Sequence, residues 1–446
     1  MLQRRHFLQA GAAAALAPWA QMQALAQTSG PGYKALVCLF LFGGNDGNNL
    51  LVPIDARWND YQRARPNLAI AQDQLLPLNF SNGGAARYGL HPAMPGLQAL
   101  VNAGQASFVA NLGTLVRPTT KADIQANRVP LPLNLYSHSD QQGATQSGWA
   151  DQPPRHGWGG RLLERSVAPG AVNRGYAAIS VAGGNIWEAS DATLTPYRVS
   201  PGGRFGFDFY DPAGSDPLSS AITGLLAEQR SNAFERTWLN IVTRSIENQR
   251  VLSAAVNGST LTTPFPGSGL GQQLQMVAKL INAQAALGQS RQCFFASIGG
   301  FDTHGDDQLQ RQNELLGEIS EAVAAFHAAL LEMGRADQVT LFSASDFGRN
   351  LPSNGAGTDH GWGSHHLVVG GSVNGRRIYG RPPSLLADNN PDDTGYGQVI
   401  PTTSVEQYAA TIAKWYGLSD TDRATVFPNL SRFASADLGF MNPAPA

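Results

Sequence analysis

The chain has 446 residues, of which 42% are hydrophobic and only 14% are charged, and it contains 49 glycines and 27 prolines. This composition is typical of a globular, loop-rich protein and excludes a disordered chain or a coiled coil. The formal net charge of −2 leaves no basic surface of the kind that binds nucleic acid, so we expect no nucleic-acid partner.

The N-terminus has the pattern of an export signal. Arg4 and Arg5 are followed by a weakly hydrophobic, alanine-rich stretch and then by Ala-Leu-Ala at residues 24–26. A charged start, a short apolar run and an A-x-A site define a cleavable secretory signal, and paired arginines are typical of the bacterial twin-arginine signal. An amphipathic first helix is the alternative, but the alanine run has no polar face. We therefore predict cleavage after Ala26, export of the folded chain by the twin-arginine machinery, and a periplasmic or secreted protein of residues 27–446.

The mature chain alternates apolar runs with helical periods. The runs are continuous rather than alternating, which predicts strands covered on both faces, as in a parallel sheet. They lie at residues 35–42, 106–113, 176–184, 292–300, 338–345 and 365–371. Between them, apolar residues recur at helical spacing, and the last helix is predicted from Ser404 to about Gly417. The pattern predicts one α/β domain, a mostly parallel sheet flanked by helices, with a helical insertion at about residues 185–290. No segment of the mature chain reaches the roughly 18 apolar residues that span a bilayer.

Polar residues that follow the strands are the first candidates for a site, because ligands of parallel α/β sheets gather at the carboxyl ends of the strands. Asn45 and Asp46 follow the first strand after a pair of glycines, which let backbone and ligand approach closely. Gly-Asn-Asp-Gly is also ordinary turn chemistry, and the sequence leaves that alternative open.

Two later strands end in further carboxylates. Asp302 and His304 are two positions apart, so in an extended chain they face the same side. They form either a metal-ligand pair or a structural hydrogen bond. Asp346 ends the run at residues 338–345.

Three histidines lie together before and within the run at residues 365–371, namely His360, His365 and His366. A surface histidine cluster is the alternative, but the apolar strand argues against full exposure. Alternation along that strand sends His365 and His366 to opposite sides, so only one of them should reach a metal directly. We favour His366 as the ligand, with His365 orienting a ligand or contacting substrate.

The placement of the carboxylates predicts a metal centre. Asp46, Asp302 and Asp346 all end buried strands, and three carboxylates at one edge of a sheet repel one another unless cations lie between them. Imidazole together with carboxylate is the ligand set of zinc and manganese. We therefore predict a divalent ion (Zn, Mn or Ca) held by these carboxylates with His304, His365 and His366. Two such ions would clamp an in-line displacement at phosphorus or sulfur.

Five motifs resemble, in order, those of the exported bacterial family called domain of unknown function 1501. They are FLFGGNDGNN, SHSDQQ, GGFDTH, SDFGR and DHGWGSHH, and they cover nearly the whole mature chain. The order of strand–Asp, strand–Asp/His, strand–Ser-Asp and late His is similar to that of the alkaline phosphatase–sulfatase–phosphoglycerate mutase superfamily. The resemblance implies an alkaline-phosphatase-like fold. Three residues of these motifs are assigned to the substrate side: Asn45, His360 and Arg349.

The resemblance also implies a nucleophile at the start of a helix near the metal. Ser139 in SHSDQQ is the candidate and Ser137 is the rival, while N-capping of a helix by either serine is the alternative. His138 lies beside both serines and would transfer protons.

Two departures from the superfamily pattern bear on activity. Phe347 follows Asp346 where superfamily hydrolases carry a histidine. Asp302 and His304 are two positions apart rather than four, and Asp306 is placed to take over from that histidine.

The two cysteines, Cys38 and Cys293, lie inside predicted strands. We expect buried thiols, with a disulfide between neighbouring strands as the alternative, and no sulfatase-type modified cysteine.

Two functions follow from these patterns. The first is a periplasmic metal-dependent hydrolase of a phosphate or sulfate ester, on a small molecule or a glycan. The second is a non-catalytic periplasmic binding or assembly protein that retains the fold. Phe347 favours the second, and the retained aspartates and histidines favour the first.

Overall fold

A nine-stranded sheet forms the centre of the molecule. The computed structural model describes residues 32–166, 174–203, 209–212 and 214–442, so the predicted export signal lies outside the described residues. The strands are β1 (Lys34–Phe42), β2 (Leu51–Pro53), β3 (Leu76–Leu78), β4 (Tyr88–Leu90), β5 (Ala106–Gly113), β6 (Ala178–Ser180), β7 (Tyr197–Arg198), β8 (Arg291–Gly299), β9 (Val339–Ser345), β10 (Ser364–Val369), β11 (Ile378–Tyr379) and β12 (Thr403–Ser404). The central sheet has the order β11-β5-β10-β9-β1-β8-β6-β7, with β12 beside β5, and β2, β4 and β3 form a small second sheet.

Most pairings in the central sheet are parallel. β1 pairs in parallel with β8 and with β9, and β6 continues the parallel order beyond β8. β10 is the exception, because it runs antiparallel to β5 and β9. The carboxyl ends of β1, β8 and β9 therefore meet at one edge of the sheet.

β1 is buried on both faces, which explains its continuous apolar sequence. Val37 and Leu39 pack into one hydrophobic cluster, and Cys38 and Phe40 pack into another on the opposite face. Successive side chains of a strand point to opposite faces, so a strand between two cores needs apolar side chains at every position.

Helices cover both faces of this sheet. They are α1 (Gly47–Leu50), α2 (Trp58–Ala64), α3 (Pro95–Asn102), α4 (Lys121–Gln125), α5 (His138–Ser147), α6 (Trp158–Ser166), α7 (Pro217–Ala227), α8 (Ala233–Asn257), α9 (Gly269–Asn282), α10 (Gln308–Glu332), α11 (Val405–Tyr416) and α12 (Asp420–Val426). Buried side chains of α3, α9 and α10 belong to the first cluster, and those of α6, α11 and α12 belong to the second. The mixed, mostly parallel sheet with helices on both faces confirms the predicted fold class.

The helix predicted from Ser404 forms as α11. The Ser404 hydroxyl accepts a hydrogen bond from the backbone N–H of Gln407, whose side chain bonds back to the Ser404 backbone. This capping box satisfies two N–H groups that a helix start leaves unpaired. The helix ends before Gly417, which has a φ of 120°.

The strand predicted at residues 176–184 is shorter than expected and covers only Ala178–Ser180. The Ser180 hydroxyl donates to the carbonyl oxygen of Gly183 and accepts from the backbone N–H of Ala182. These local bonds turn the chain away from the sheet directly after β6.

The region predicted as an insertion contains elements of two kinds. Helix α9 is part of the helical layer and has eight buried residues. Helix α7 buries only Ser219, and the 25-residue α8 buries only Ile246, Leu252 and Val256. The exposed part of this region is therefore α7 with most of α8, and the insertion boundaries stay a prediction.

Cys38 and Cys293 are buried free thiols. In the parallel register of β1 and β8, Cys38 lies beside Phe295 and Cys293 lies beside Leu36. The two cysteines are thus offset by two positions along neighbouring strands, which separates them too far for a disulfide. Within the described residues, no helix combines the length and the apolar character needed to cross a membrane.

Candidate functional site

Titratable side chains meet at the carboxyl edge of β1, β8 and β9. Asp302 lies just beyond β8, Asp346 directly follows β9, and His138 is the first residue of α5. His304 and His360 approach from the adjoining loops, with their Nε2 atoms 3.1 Å apart. All five are among the residues predicted above, although His138 and His360 were assigned other roles.

One carboxylate oxygen lies at the centre of this group. The distances from Asp302 Oδ1 are 2.9 Å to His304 Nε2, 3.3 Å to His360 Nε2 and 3.4 Å to His138 Nε2. Ligand atoms of His138, Asp302 and His360 lie within 4.8 Å of one another. These three residues and His304 are called the cluster below. Donor atoms at such separations can close around one cation with small side-chain movements.

The outer nitrogen of each imidazole in the cluster is held by an oxygen acceptor. The pairs are His138 Nδ1 with Asp346 Oδ2 at 2.7 Å, His304 Nδ1 with Asp359 Oδ1 at 3.2 Å, and His360 Nδ1 with the carbonyl oxygen of Tyr136 at 2.8 Å. Carboxylates and carbonyls accept hydrogen bonds, so an acceptor at each Nδ1 favours a proton on that nitrogen and turns Nε2 towards the cluster. An oxygen acceptor behind the ring is the arrangement that orients metal-binding histidines.

Neighbouring charges set the protonation of the cluster. Burial by itself would raise the pKa of Asp302, but the hydrogen bond and positive charge of Arg349 outweigh it and lower that pKa to about 2. The hydrogen bond with Asp346 raises the pKa of His138, whereas burial lowers the pKa of His360. At neutral pH Asp302 is ionised and His360 is neutral, which are the protonation states that metal ligands need.

Arg349 binds the loops of the site together. Its guanidinium donates to the carbonyl oxygens of Gly43, Gly44, Phe301 and Thr358 and to the carboxylate of Asp302. The side chain is fully buried. Arg349 was predicted on the substrate side, and the structure places it behind Asp302, where it orients that carboxylate and has no open face for a substrate.

Asp46 does not join the cluster. Its carboxylate forms a two-pronged ion pair with Arg65, at 3.0 and 2.7 Å, and accepts further hydrogen bonds from Gln308 Nε2 at 2.8 Å and the backbone N–H of Asn48 at 3.1 Å. Both members of the ion pair are buried. The prediction that Asp46 ligates the metal is therefore at odds with the structure, because its oxygens are already taken by donors.

Asn45 is also enclosed rather than open to a substrate. It is fully buried, and its backbone is held between the hydroxyls of Ser345 and Ser364, each at 3.0 Å. Its assignment to the substrate side does not fit this burial. Asn45 instead fixes the turn after β1 against the ends of β9 and β10.

His365 and His366 lie on opposite sides of β10, as alternation predicted, but outside the cluster. His366 Nδ1 lies 3.2 Å from the Ser343 hydroxyl, and His365 Nδ1 accepts from the backbone N–H of Asn111 at 3.2 Å. Burial lowers their pKa values to about 3 and about 4, respectively. The preference for His366 as the late metal ligand is not supported by this geometry, which places His360 in the cluster instead.

The two candidate nucleophiles flank His138 at the start of α5. Ser137 occupies the N-cap position, but its side chain makes no capping hydrogen bond. The hydroxyl oxygens of Ser137 and Ser139 are 3.3 Å apart, and Ser139 is exposed. The capping alternative is thus not observed, and both hydroxyls remain available for chemistry.

Phe347 directly follows Asp346, where the resemblance stated above implied a histidine. Its ring centroid lies 4.8 Å from that of His138 and 4.7 Å from that of His360. The ring is buried, and a β-carbon on Gly44 would come within 2.7 Å of it. Phe347 therefore packs on one side of the cluster and supplies no ligand there. Asp306, considered as a substitute ligand, is absent from the metal-binding group found among the described residues.

Sequence reasoning missed several residues that complete the site. Asp359 precedes His360 directly, and a carboxylate beside a candidate histidine was a usable signal. Tyr136 acts through its backbone carbonyl, for which a side-chain pattern gives no signal. Arg65 belongs to none of the motifs, so its pairing with Asp46 could not be read from them.

Comparison with known proteins gives a match to one family model and a set of distantly similar solved structures. Residues 242–433 match the model of a family described as "Protein of unknown function (DUF1501)", which confirms the resemblance over that range. The comparison with curated proteins gives no match.

Three of the similar solved structures follow. The C-terminal periplasmic domain of EcEptC from Escherichia coli, in complex with zinc, is 11% identical, with 88% of this chain and 84% of that chain covered and a TM-score of 0.33. A sulfatase from Pseudoalteromonas sp. is 13% identical, with 87% and 74% covered and a TM-score of 0.33. The lipoteichoic acid synthase LtaP from Listeria monocytogenes is 10% identical, with 90% and 79% covered and a TM-score of 0.35. Likenesses at this level carry no conclusion about activity.

Proposed function

We propose that this chain is a metal-dependent hydrolase of a phosphate or sulfate ester that works outside the cytoplasm. The observation that carries the proposal is the convergence of three imidazole Nε2 atoms on the Asp302 carboxylate. Neutral imidazoles with one ionised carboxylate are a ligand chemistry of hydrolytic metal centres.

The donor set favours zinc or manganese over calcium. Imidazole suits zinc and carboxylate suits manganese, whereas calcium takes a shell of oxygen ligands. His138 Nε2 is buried and has no hydrogen-bond partner among the described residues, so this nitrogen is suited to bind a cation. We propose His138, His360 and Asp302 as ligands. His304 would be the fourth by exchanging the contact of its Nε2 with Arg349 Nη1, at 3.3 Å, for the ion. A bound divalent ion supplies a Lewis acid that polarises the ester oxygen.

The proposed nucleophile lies on the first turn of α5. Ser139 is exposed, which lets an ester approach its hydroxyl, whereas Ser137 is half-buried. We therefore favour Ser139 and keep Ser137 as the alternative. The unpaired N–H groups at the start of this 10-residue helix stabilise negative charge that develops on the transferred group.

An ester screen on protein of known metal content tests the proposal. Purified mature protein is expected to carry about one tightly bound divalent ion per chain and to hydrolyse at least one phosphate or sulfate ester of a mixed panel. Ser139→Ala should lower kcat by roughly a thousandfold while bound metal is unchanged, with Ser137→Ala as the matched variant two positions away. Metal-loaded protein that turns over no ester of the panel would contradict the hydrolase proposal.

The second function, a non-catalytic binding or assembly protein, is favoured by Phe347. The buried ring of Phe347 packs against two imidazoles and supplies no ligand, so the cluster has ligands for one ion only. A single ion cannot clamp both the attacking and the leaving oxygen. Bound metal without ester turnover is the result that separates this function from the first.

Export by the twin-arginine machinery is likewise proposed from the sequence, because residues 1–26 lie outside the described residues. Replacing Arg4 and Arg5 by lysines should leave the precursor in the cytoplasm, since the receptor reads the paired guanidinium groups. Fractionation of cells that express either form checks this. Undiminished periplasmic delivery of the double variant would indicate the general secretory route.

A further inference from the structure

We infer that the ester bound at the cluster carries an apolar ring, which packs on the side chains of Tyr136 and Tyr396. The inference rests on the proposed function, because it concerns the part of the substrate that does not react. It is drawn from two exposed tyrosines on loops that are hydrogen-bonded to the site.

Tyr136 is joined to the cluster through its backbone. Its carbonyl oxygen lies 2.8 Å from His360 Nδ1, so this residue cannot move away from the cluster without releasing a proposed ligand. The side chain of Tyr136 is nevertheless 37% exposed, and Leu133 on the same loop is 44% exposed. This loop therefore exposes apolar surface while its backbone is bonded to the cluster.

Tyr396 stands at the tip of a hairpin closed by an antiparallel bridge between Asp393 and Val399. Gly395 and Gly397 flank it with φ of 107° and 86°, values that only glycine adopts readily, so the tip turns tightly and presents the ring. The side chain of Tyr396 is 80% exposed.

The hairpin is fixed to the site at its base and its tip. Asn350 Nδ2, next to Arg349, donates to the carbonyl oxygen of Tyr396 at 3.2 Å. The side chain of Tyr136 lies close to that of Thr394 in this hairpin, which places the two loops side by side. Asp393 at the base is paired with Lys121, so its charge is neutralised within the protein.

Two exposed rings on anchored loops are suited to bind a ring of the substrate. A tyrosine side chain offers a large flat contact at a low cost in conformational entropy, and aromatic pairs gain attraction beyond the burial of their surfaces. Binding energy from a non-reacting part of a substrate can then position the ester at the cluster.

The test compares two probes with the same anionic group, phenylphosphonate and methylphosphonate, by calorimetric titration into zinc-loaded protein. We expect phenylphosphonate to bind about tenfold more tightly. Tyr396→Ala should weaken the binding of phenylphosphonate at least about threefold and leave the binding of methylphosphonate unchanged. The side chain of Tyr396 is highly exposed, so its removal should leave the fold intact, and Leu309→Ala, at another exposed apolar residue, is the matched control.

The outcomes separate this inference from the proposed function. Equal binding of the two phosphonates, or an unchanged phenyl advantage in Tyr396→Ala, would overturn the ring-binding role and leave the metal site standing. Tighter binding of glucose 6-phosphate than of phenylphosphonate would also overturn it, because the favoured ring would then be polar. Failure of both phosphonates to bind zinc-loaded protein would instead contradict the proposed function.

Discussion

Replacing His138 or His360 with alanine is expected to lower the affinity for zinc or manganese by about 100-fold or more, since loss of a ligand should exceed the effect of losing a hydrogen bond behind one. Each imidazole presents Nε2 to the Asp302 carboxylate, at 3.4 and 3.3 Å. Metal content after dialysis, measured by elemental analysis on protein with an unchanged circular dichroism spectrum, checks the result.

His366→Ala is the matched control for this experiment. His366 is a buried histidine near the same sheet edge, but its Nδ1 lies 3.2 Å from the Ser343 hydroxyl rather than in the cluster. We expect this variant to keep its metal. The reverse pattern, with metal lost in His366→Ala and kept in His360→Ala, would show that the cluster is not the metal site.

Arg65→Met is expected to destabilise the fold by about 3–5 kcal/mol, because it leaves the carboxylate of Asp46 buried without a cation. The two side chains are 0% and 3% exposed, and the closest contact between them is 2.7 Å. Urea denaturation of wild type and variant measures the change in the free energy of unfolding.

Arg63→Met provides the control for this prediction, because Arg63 is only two residues away and its side chain is 68% exposed. An exposed ion pair is worth at most about 1 kcal/mol, so this variant should unfold almost as wild type does. The double variant Asp46→Asn with Arg65→Met should recover much of the lost stability, because no charge is then left unpaired. A stable Arg65→Met single variant would mean that Asp46 finds another partner or takes up a proton.

The central strands could be predicted from the sequence because a strand that is buried on both faces has a continuous run of apolar residues. β1, β5, β8 and β9 each begin and end within one residue of a continuous apolar run. The edge of the sheet that carries the cluster could be predicted from the same runs, since Asp302 and Asp346 lie where two of these strands end. The positions of these strands depend on their own residues, so they could be predicted without knowing which distant residues they contact.

The choice of ligands could not be predicted in the same way, because it depends on partners that are distant in sequence. Asp46 looks like Asp302 and Asp346 from its position after a strand, and only the approach of Arg65 removes it from the site. The start of β10 decides between His360 and His366. The strand begins at Ser364, so His366 is buried within it and His360 stays on the loop beside the cluster.

The bonds of Arg349 also determine when the site exists during folding. Its guanidinium joins loops that follow β1, β8 and β9, so the ligands come together only after strands from distant parts of the chain have paired. A partly folded chain then has no preformed site, and an ion that binds only the native state stabilises the whole domain by RT ln(1 + [L]/Kd), about 2.7 kcal/mol at 100 times Kd. Metal binding should therefore raise the midpoint of global thermal unfolding, rather than order one loop of an otherwise unchanged molecule.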